Sequence, residues 1–330
     1  MITFLKSFSI ILVFFFLACD ANSEDCTIGL LELVNPQTII DGTAYKQSIM
    51  DCRIPKVQSF EFNNFEQTQL VASKGTLFFI PQGTFSKLDG SIIDGEITFS
   101  VLEMYNPGEI IACQLSTNGI NNTQTIEPLL SESILFLNAT YNGEAVLVNQ
   151  EIRVFIPSEN KNLQLNGFYS PSCPSLDCQV LWEISPQISI FEEPFTDPAG
   201  NIILGYQSFI TELGWLSFAR YNPSLEPRGI IYNKTLPEYS LSNSNVFLDY
   251  NANSVAIGMY SEFDTINGVF SEKYRQIPQN TPANVIFVSK PENSFSFGSS
   301  TVITEDGKIT VTRDLQNGSE NNLIDYINSL

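Results

Sequence analysis

Histidine is absent from the 330 residues. That excludes Ser-His-Asp and Cys-His nucleophilic centres, and the usual zinc and non-haem iron sites, which use imidazole as base or ligand. Basic residues are scarce as well: 16 Lys and Arg stand against 36 Asp and Glu, for a formal net charge of −20. A chain this acidic repels phosphates and anionic headgroups, so nucleic acid is not an expected partner and the charge serves solubility. Glycine-rich phosphate loops, dinucleotide fingerprints, nucleophile elbows and EF-hand loops are missing. Asp249-Tyr250-Asn251-Ala252-Asn253 offers oxygen atoms to calcium, but Asp and Asn belong in a hairpin turn anyway. We expect no cofactor and no metal.

Long apolar runs are lacking except at the start. Phe8 to Ala18 is almost unbroken apolar sequence after a single positive charge at Lys6. It is shorter than the roughly 20 residues a spanning helix needs and matches a signal-peptide core. It ends in Phe16-Leu17-Ala18-Cys19, the pattern of a lipobox: a small residue at the cleaved bond, then a thiol that receives lipid. Residues 1–18 therefore read as a signal peptide and Cys19 as the acylated new N-terminus. Residues 19–56 read as a lipidated leader and linker, opening with the acidic stretch Asp20 to Asp25. The expected location is the outer membrane by a lipid anchor, with the acidic leader leaning towards the cell surface.

Five cysteines remain: Cys26, Cys52, Cys113, Cys173 and Cys178. Export permits disulfides. Cys173 and Cys178 close a tight loop and are the best pair; without a second pair at matching spacing they do not make a zinc site. Cys26 with Cys52 is a second possible bridge, leaving Cys113 as a small buried residue.

Helical periodicity is scarce, whereas short or alternating runs rich in Val, Ile, Phe and Tyr recur between Gly, Pro, Asn and Asp. The exceptions are a short helix over Pro107 to Leu115 and one from Ser319, with Ser319 as cap. Asn245 to Tyr260 reads as a hairpin, and so do Thr301 to Ile303 and Lys308 to Thr312 around Glu305-Asp306-Gly307. The polar stretch Glu159 to Asn166 marks a boundary. The expectation is an all-β protein of two antiparallel β-sandwich-like domains, 57–158 and 167–330.

Two stretches carry a resemblance. Lys74-Gly75-Thr76-Leu77-Phe78-Phe79-Ile80-Pro81-Gln82-Gly83-Thr84-Phe85, followed by Asp94 to Glu103, resembles uncharacterised Bacteroidota lipoproteins. More distantly it is similar to the β-sandwich module shared by ankyrins and netrin receptors. Phe209-Ile210-Thr211-Glu212-Leu213-Gly214-Trp215 resembles a Leu-Gly-Trp segment in the C-terminal half of the same lipoproteins. There Asn and Asp-Arg usually follow; here only Arg220 remains of those polar members. The resemblance implies a two-part β lipoprotein at the cell envelope and no activity. Physically, Pro81 ends a strand because it cannot donate to the ladder, and Gly75 and Gly83 permit backbone that other residues resist.

A carboxylate-pair glycosidase needs no histidine, and Glu103, Glu192 and Glu193 are candidates for it. Nothing in the sequence sets two of them at a catalytic separation. Exposed aromatics on a β face could stack on sugars, and Tyr206, Trp215, Tyr221 and Tyr232 are the possible ligand-facing ones; Trp215 beside Gly214 reads first as a core anchor. The expected function is a non-enzymatic binding or structural role towards a protein or glycan partner. A secreted carbohydrate-active hydrolase and an accessory subunit of an outer-membrane complex are the alternatives.

Overall fold

The strand Leu130–Tyr141 shows why this sequence builds layers. Ile134 and Phe136 point to one side and Leu135, Leu137 and Ala139 to the other, each set entering a different buried cluster. A strand apolar on both faces must be covered on both. The computed structural model describes residues 40–197, 199–250, 254–272 and 274–330. The fold there is all-β, with four main sheets in layers.

Sheet I runs Ile190–Glu192, Gly205–Ile210, Ile152–Pro157, Leu77–Ile80, Thr68–Val71. Sheet II runs Gln58–Asn63, Glu96–Met104, Leu130–Tyr141, Gly214–Arg220, Asn166–Tyr169, Glu183–Ile184, with Glu144–Val148 and Phe85–Lys87 branching from it. Sheet III runs Ile257–Met259, Ser244–Tyr250, Pro282–Ser289, Phe295–Ile303, Gln316–Gly318, and sheet IV runs Glu262–Asp264, Val269–Ser271, Ile231–Lys234, Lys308–Val311. Between I and II, Phe78, Val154 and Tyr206 meet Phe99, Leu137 and Phe218. Between II and III, Phe136 and Trp215 share a core with Phe247 and Phe297. Three helices join it: α1 (Thr43–Arg53), α2 (Pro107–Ala112) and α3 (Glu320–Asn328). Between III and IV, Val246 and Phe287 meet Ile231 and Phe270.

The division expected at residues 159–166 is not where the sheets divide. Ile152–Pro157 pairs with Gly205–Ile210, and Leu130–Tyr141 with Gly214–Arg220, so strands from both sides of that stretch share sheets I and II. Thr38–Leu330 forms one compact unit. The polar composition of 159–166 marks an exposed crossing between sheets, which looks like a linker in sequence because both are solvated.

The hairpin expected around Glu305-Asp306-Gly307 does not form. Lys308–Val311 leaves Phe295–Ile303 and pairs in parallel with Ile231–Lys234, where the buried Asn233 amide donates to Thr310 Oγ1 at 2.8 Å and Thr312 Oγ1 at 3.0 Å. Asn245–Tyr260 does pair as expected, Phe247 opposite Met259, although its turn at 251–253 lies outside the described residues. The two expected helices stand at Pro107–Ala112, capped by Asn106, and Glu320–Asn328, capped by Ser319 with Asn322 completing the box.

Helix α1 falls in the stretch read as leader, because its residues lack a helical apolar stripe. A covalent tie holds it: Cys52 is bonded to Cys113, with Cα atoms 5.2 Å apart. This replaces the pairing of Cys26 with Cys52 and the unpaired Cys113; 61 residues separate the partners, a distance that only the tertiary fold closes. Cys173 is bonded to Cys178, with Cα atoms 5.5 Å apart. Residues 1–39, with the expected signal peptide and lipidation site at Cys19 and with Cys26, lie outside the described residues. Among the described residues no helix is long and apolar enough to cross a membrane.

Candidate functional site

Of the four aromatics proposed to face a ligand, two are interior. Tyr206 is 1% exposed, its hydroxyl accepting from Leu163 N at 3.1 Å and donating to Asn160 O at 3.0 Å. Trp215 is also 1% exposed; its Nε1 donates to Ser175 O at 2.9 Å and its ring lies 5.1 Å from Phe136. Tyr206 turns into the core between sheets I and II, and Trp215 into the core between sheets II and III. Tyr221 is half-buried, edge-on to Phe168 at 5.5 Å, and its hydroxyl donates to Ile120 O. Tyr232 is the one of the four on an outer face, half-buried in sheet IV opposite Ser271 and Ile309.

The outer face of sheet I presents aromatics that the sequence reading did not single out. Pairing sets Gln69, Phe79, Arg153 and Phe209 in one row across four strands. The next row runs Val71, Leu77, Phe155, Gln207, Phe191. Phe191, Phe209 and Val71 are 50%, 40% and 57% exposed. The strand pair Phe195–Thr196 and Ile202–Ile203 covers the middle of the second row: Phe195 stacks 5.7 Å from Phe155 and 5.9 Å from Phe79. The Arg153 guanidinium lies 4.6 Å over the Phe79 ring, and its Nε is buried without a hydrogen-bond partner. The result is an aromatic ledge with a cation at its centre. Strand parity was the available signal, since Arg153 and Phe155 face away from inward Ile152, Val154 and Ile156.

A narrow cleft opens beside sheet III, lined by Asn118, Pro128, Met259, Tyr260, Glu272 and Ile277. Burial pushes the Glu272 carboxyl up to about 6, although the N–H groups of Tyr274 and Arg275 donate to it. Burial also raises Glu127, which Arg228 partly offsets. The Tyr260 hydroxyl is buried without a partner. The cleft encloses about 20 Å³, room for little more than a water molecule and far below small-molecule sites.

Of the carboxylates considered for hydrolysis, Glu103 is buried and holds a turn, whereas Glu192 and Glu193 are exposed. Glu103, 2% exposed, accepts from Thr76 Oγ1 at 2.5 Å, Lys74 N at 2.9 Å and Gln58 Nε2 at 3.1 Å. Glu192 accepts from Asn162 N, and Glu193 from Gln207 Nε2, both on exposed chain at the sheet I edge. Among the described residues no group of three or more Cys, Asp or Glu could hold a metal ion, and Asn251 to Asn253 of the oxygen-rich turn lie outside them. No family model matches the sequence, and no curated protein matches it.

Proposed function

We propose that the chain is a lipid-tethered, non-enzymatic binding protein of the bacterial cell envelope. In this reading Cys19 holds it at the outer membrane and the outer face of sheet I docks a partner protein, in keeping with an accessory role on an outer-membrane complex. The kinship to Bacteroidota β lipoproteins belongs to the same proposal. The observation that carries it is the strip of Phe79, Phe191 and Phe209 around Arg153. Contiguous apolar surface rimmed by polar groups marks interaction sites on soluble bodies, and aromatics with Arg are the side chains that anchor interfaces. The hydrolase alternative has weaker support, because Glu103 is consumed by a turn and Glu272 sits in a cleft too small for a sugar chain.

The two halves of the proposal are tested separately. Metabolic labelling with an alkynyl fatty acid should mark the wild type and not Cys19→Ala, which should leave the membrane fraction. A photo-crosslinker at position 209 or 191 should give one adduct of defined mass in intact cells. The same crosslinker at position 309, on sheet IV, should not give it. Absence of that adduct at both sheet I positions removes the docking claim.

A further inference from the structure

Sheet IV is the outer layer beyond sheet III, and its open face carries a second concavity. Tyr232 lies mid-sheet, in register with Ser271 on one neighbouring strand and Ile309 on the other. Asp264 and Asn267 rise at one rim, from the turn between Glu262–Asp264 and Val269–Ser271, and Gly307 lies at another. The hollow encloses about 320 Å³, at the low end of the range of small-molecule sites.

We propose that this hollow binds a neutral carbohydrate chain. Tyr232 supplies the stacking face, and Ser271 and Asn267 supply polar contacts. A pyranose presents a C–H face that an aromatic ring attracts through its negative quadrupole, and a rim of hydroxyls that needs hydrogen bonds. Each requirement has its group here. The ring of Tyr232 is flanked by Ile309, 60% exposed, which extends the apolar platform. Ser271 lines the hollow in register with Tyr232, beside the ring. Asn267 gives its amide nitrogen to Asp264 Oδ2 at 2.5 Å, so its carbonyl oxygen is the end left to accept.

The same groups select against anions. No Lys or Arg lines the hollow itself, the nearest on this face being exposed Lys234 opposite Val269, and the ionised Asp264 together with a net charge of −20 disfavours an anion. Asp264 already accepts the N–H of Ile266 at 2.9 Å and of Asn267 at 3.1 Å besides the Asn267 side chain. Those bonds hold its carboxyl below the usual range, so it stays an anion at the rim, able to accept from ligand hydroxyls as well. A neutral polyol uses both parts of the hollow, an apolar platform for its C–H face and a rim of acceptors for its hydroxyls. The inference does not depend on the sheet I face, so either can fail alone.

The test uses the full mature chain in detergent, with maltohexaose, cellohexaose, xylohexaose and mannohexaose as probes in saturation-transfer NMR. At least one should receive saturation at its ring C–H protons. Tyr232→Ala should weaken that binding about tenfold or more, while Tyr232→Phe, which keeps the ring, should stay within about threefold. Should Tyr232→Ala fail to fold, Ile309→Arg puts a bulky cation on the platform from an exposed position and should abolish binding. Binding of none of the four probes by the wild type, or unchanged binding by folded Tyr232→Ala or by Ile309→Arg, overturns the proposal.

Discussion

The guanidinium of Arg53 lies 5.4 Å from the centre of the Trp215 ring, and both are fully enclosed. Arg53 donates to Cys113 O at 3.0 Å and Gln114 O at 3.1 Å on one side, and to Leu176 O at 2.5 Å and Cys178 O at 2.8 Å on the other. It thus joins the end of α2 to the Cys173–Cys178 loop, with each disulfide contributing one carbonyl. Burial pulls Arg53 down to about 10, with Asp177 opposing, so it stays protonated at neutral pH. Arg53→Met would keep the packing on Trp215 and leave four carbonyls without donors. A loss of about 4 kcal/mol or more in urea unfolding is expected, since each buried orphan costs about 1 to 3 kcal/mol. Arg53→Lys should restore only part of it, because a compact ammonium cannot reach both sides as a planar fork does.

The bridge between Cys52 and Cys113 closes a loop with 61 residues of separation, against 5 for Cys173 and Cys178. Chain-entropy arguments make the longer loop the more stabilising, about 4 kcal/mol. The double variant Cys52→Ser, Cys113→Ser should therefore melt well below Cys173→Ser, Cys178→Ser in calorimetry. Equal melting temperatures would mean that packing alone fixes α1.

Period-two alternation made the strands legible, and the cap at Ser319 and the Pro at the start of α2 made two helices legible. Local signals stopped there. Lys308–Val311 has a good turn before it, yet its partner is Ile231–Lys234, because Asn233 needs Thr310 and Thr312 for its buried amide. Helix α1 carries no apolar stripe; its place is set by Cys113 and by carbonyls over a hundred residues away. The candidate surfaces were half-legible. Tyr232 could be named from its strand, but which face of that strand would be covered depended on sheet III. Phe191 and Phe209 were unreadable as exposed for the same reason: an outward Phe looks like a core Phe until the layers are counted.

Glu103 tests whether a buried carboxylate here is structural. It collects donors from Gln58, Lys74 and Thr76, pinning the turn that Gly75 makes at φ +96°. Glu103→Gln keeps the shape but turns an N–H₂ towards donors at one of its two ends. We expect about 2 kcal/mol of destabilisation, and more for Glu103→Ala, measured by urea unfolding. A residue held for hydrolysis would give the opposite pattern, with stability gained on substitution.

Two buried carboxyls should make stability fall as pH rises through neutrality. Asp249 and Glu272 are each 9% exposed, and burial raises them to about 7 and about 6. Their folded values lie above those of the unfolded chain, so the folded state binds more protons between the two. The contribution is then fully present below about pH 4 and is lost as pH passes 6 to 7. For Asp249 the shift corresponds to at most about 4 kcal/mol. Exposed Asp89, Asp197 and Asp264 act in the other direction, because hydrogen bonds from Ser91, Asn201 and Asn267 hold their carboxyls low, but they lose their contribution only below about pH 4. Between pH 5 and 8 Asp249 and Glu272, with Glu127, which burial raises as well, therefore set the slope. Urea unfolding should give a wild type about 2 kcal/mol or more weaker at pH 8 than at pH 5. Asp249→Asn, neutral throughout, should flatten more than half of that slope and exceed the wild type in stability at pH 8. A variant that is weaker than the wild type at pH 8 would mean that the Asp249 carboxylate is paired in solution, contrary to the burial that raises it.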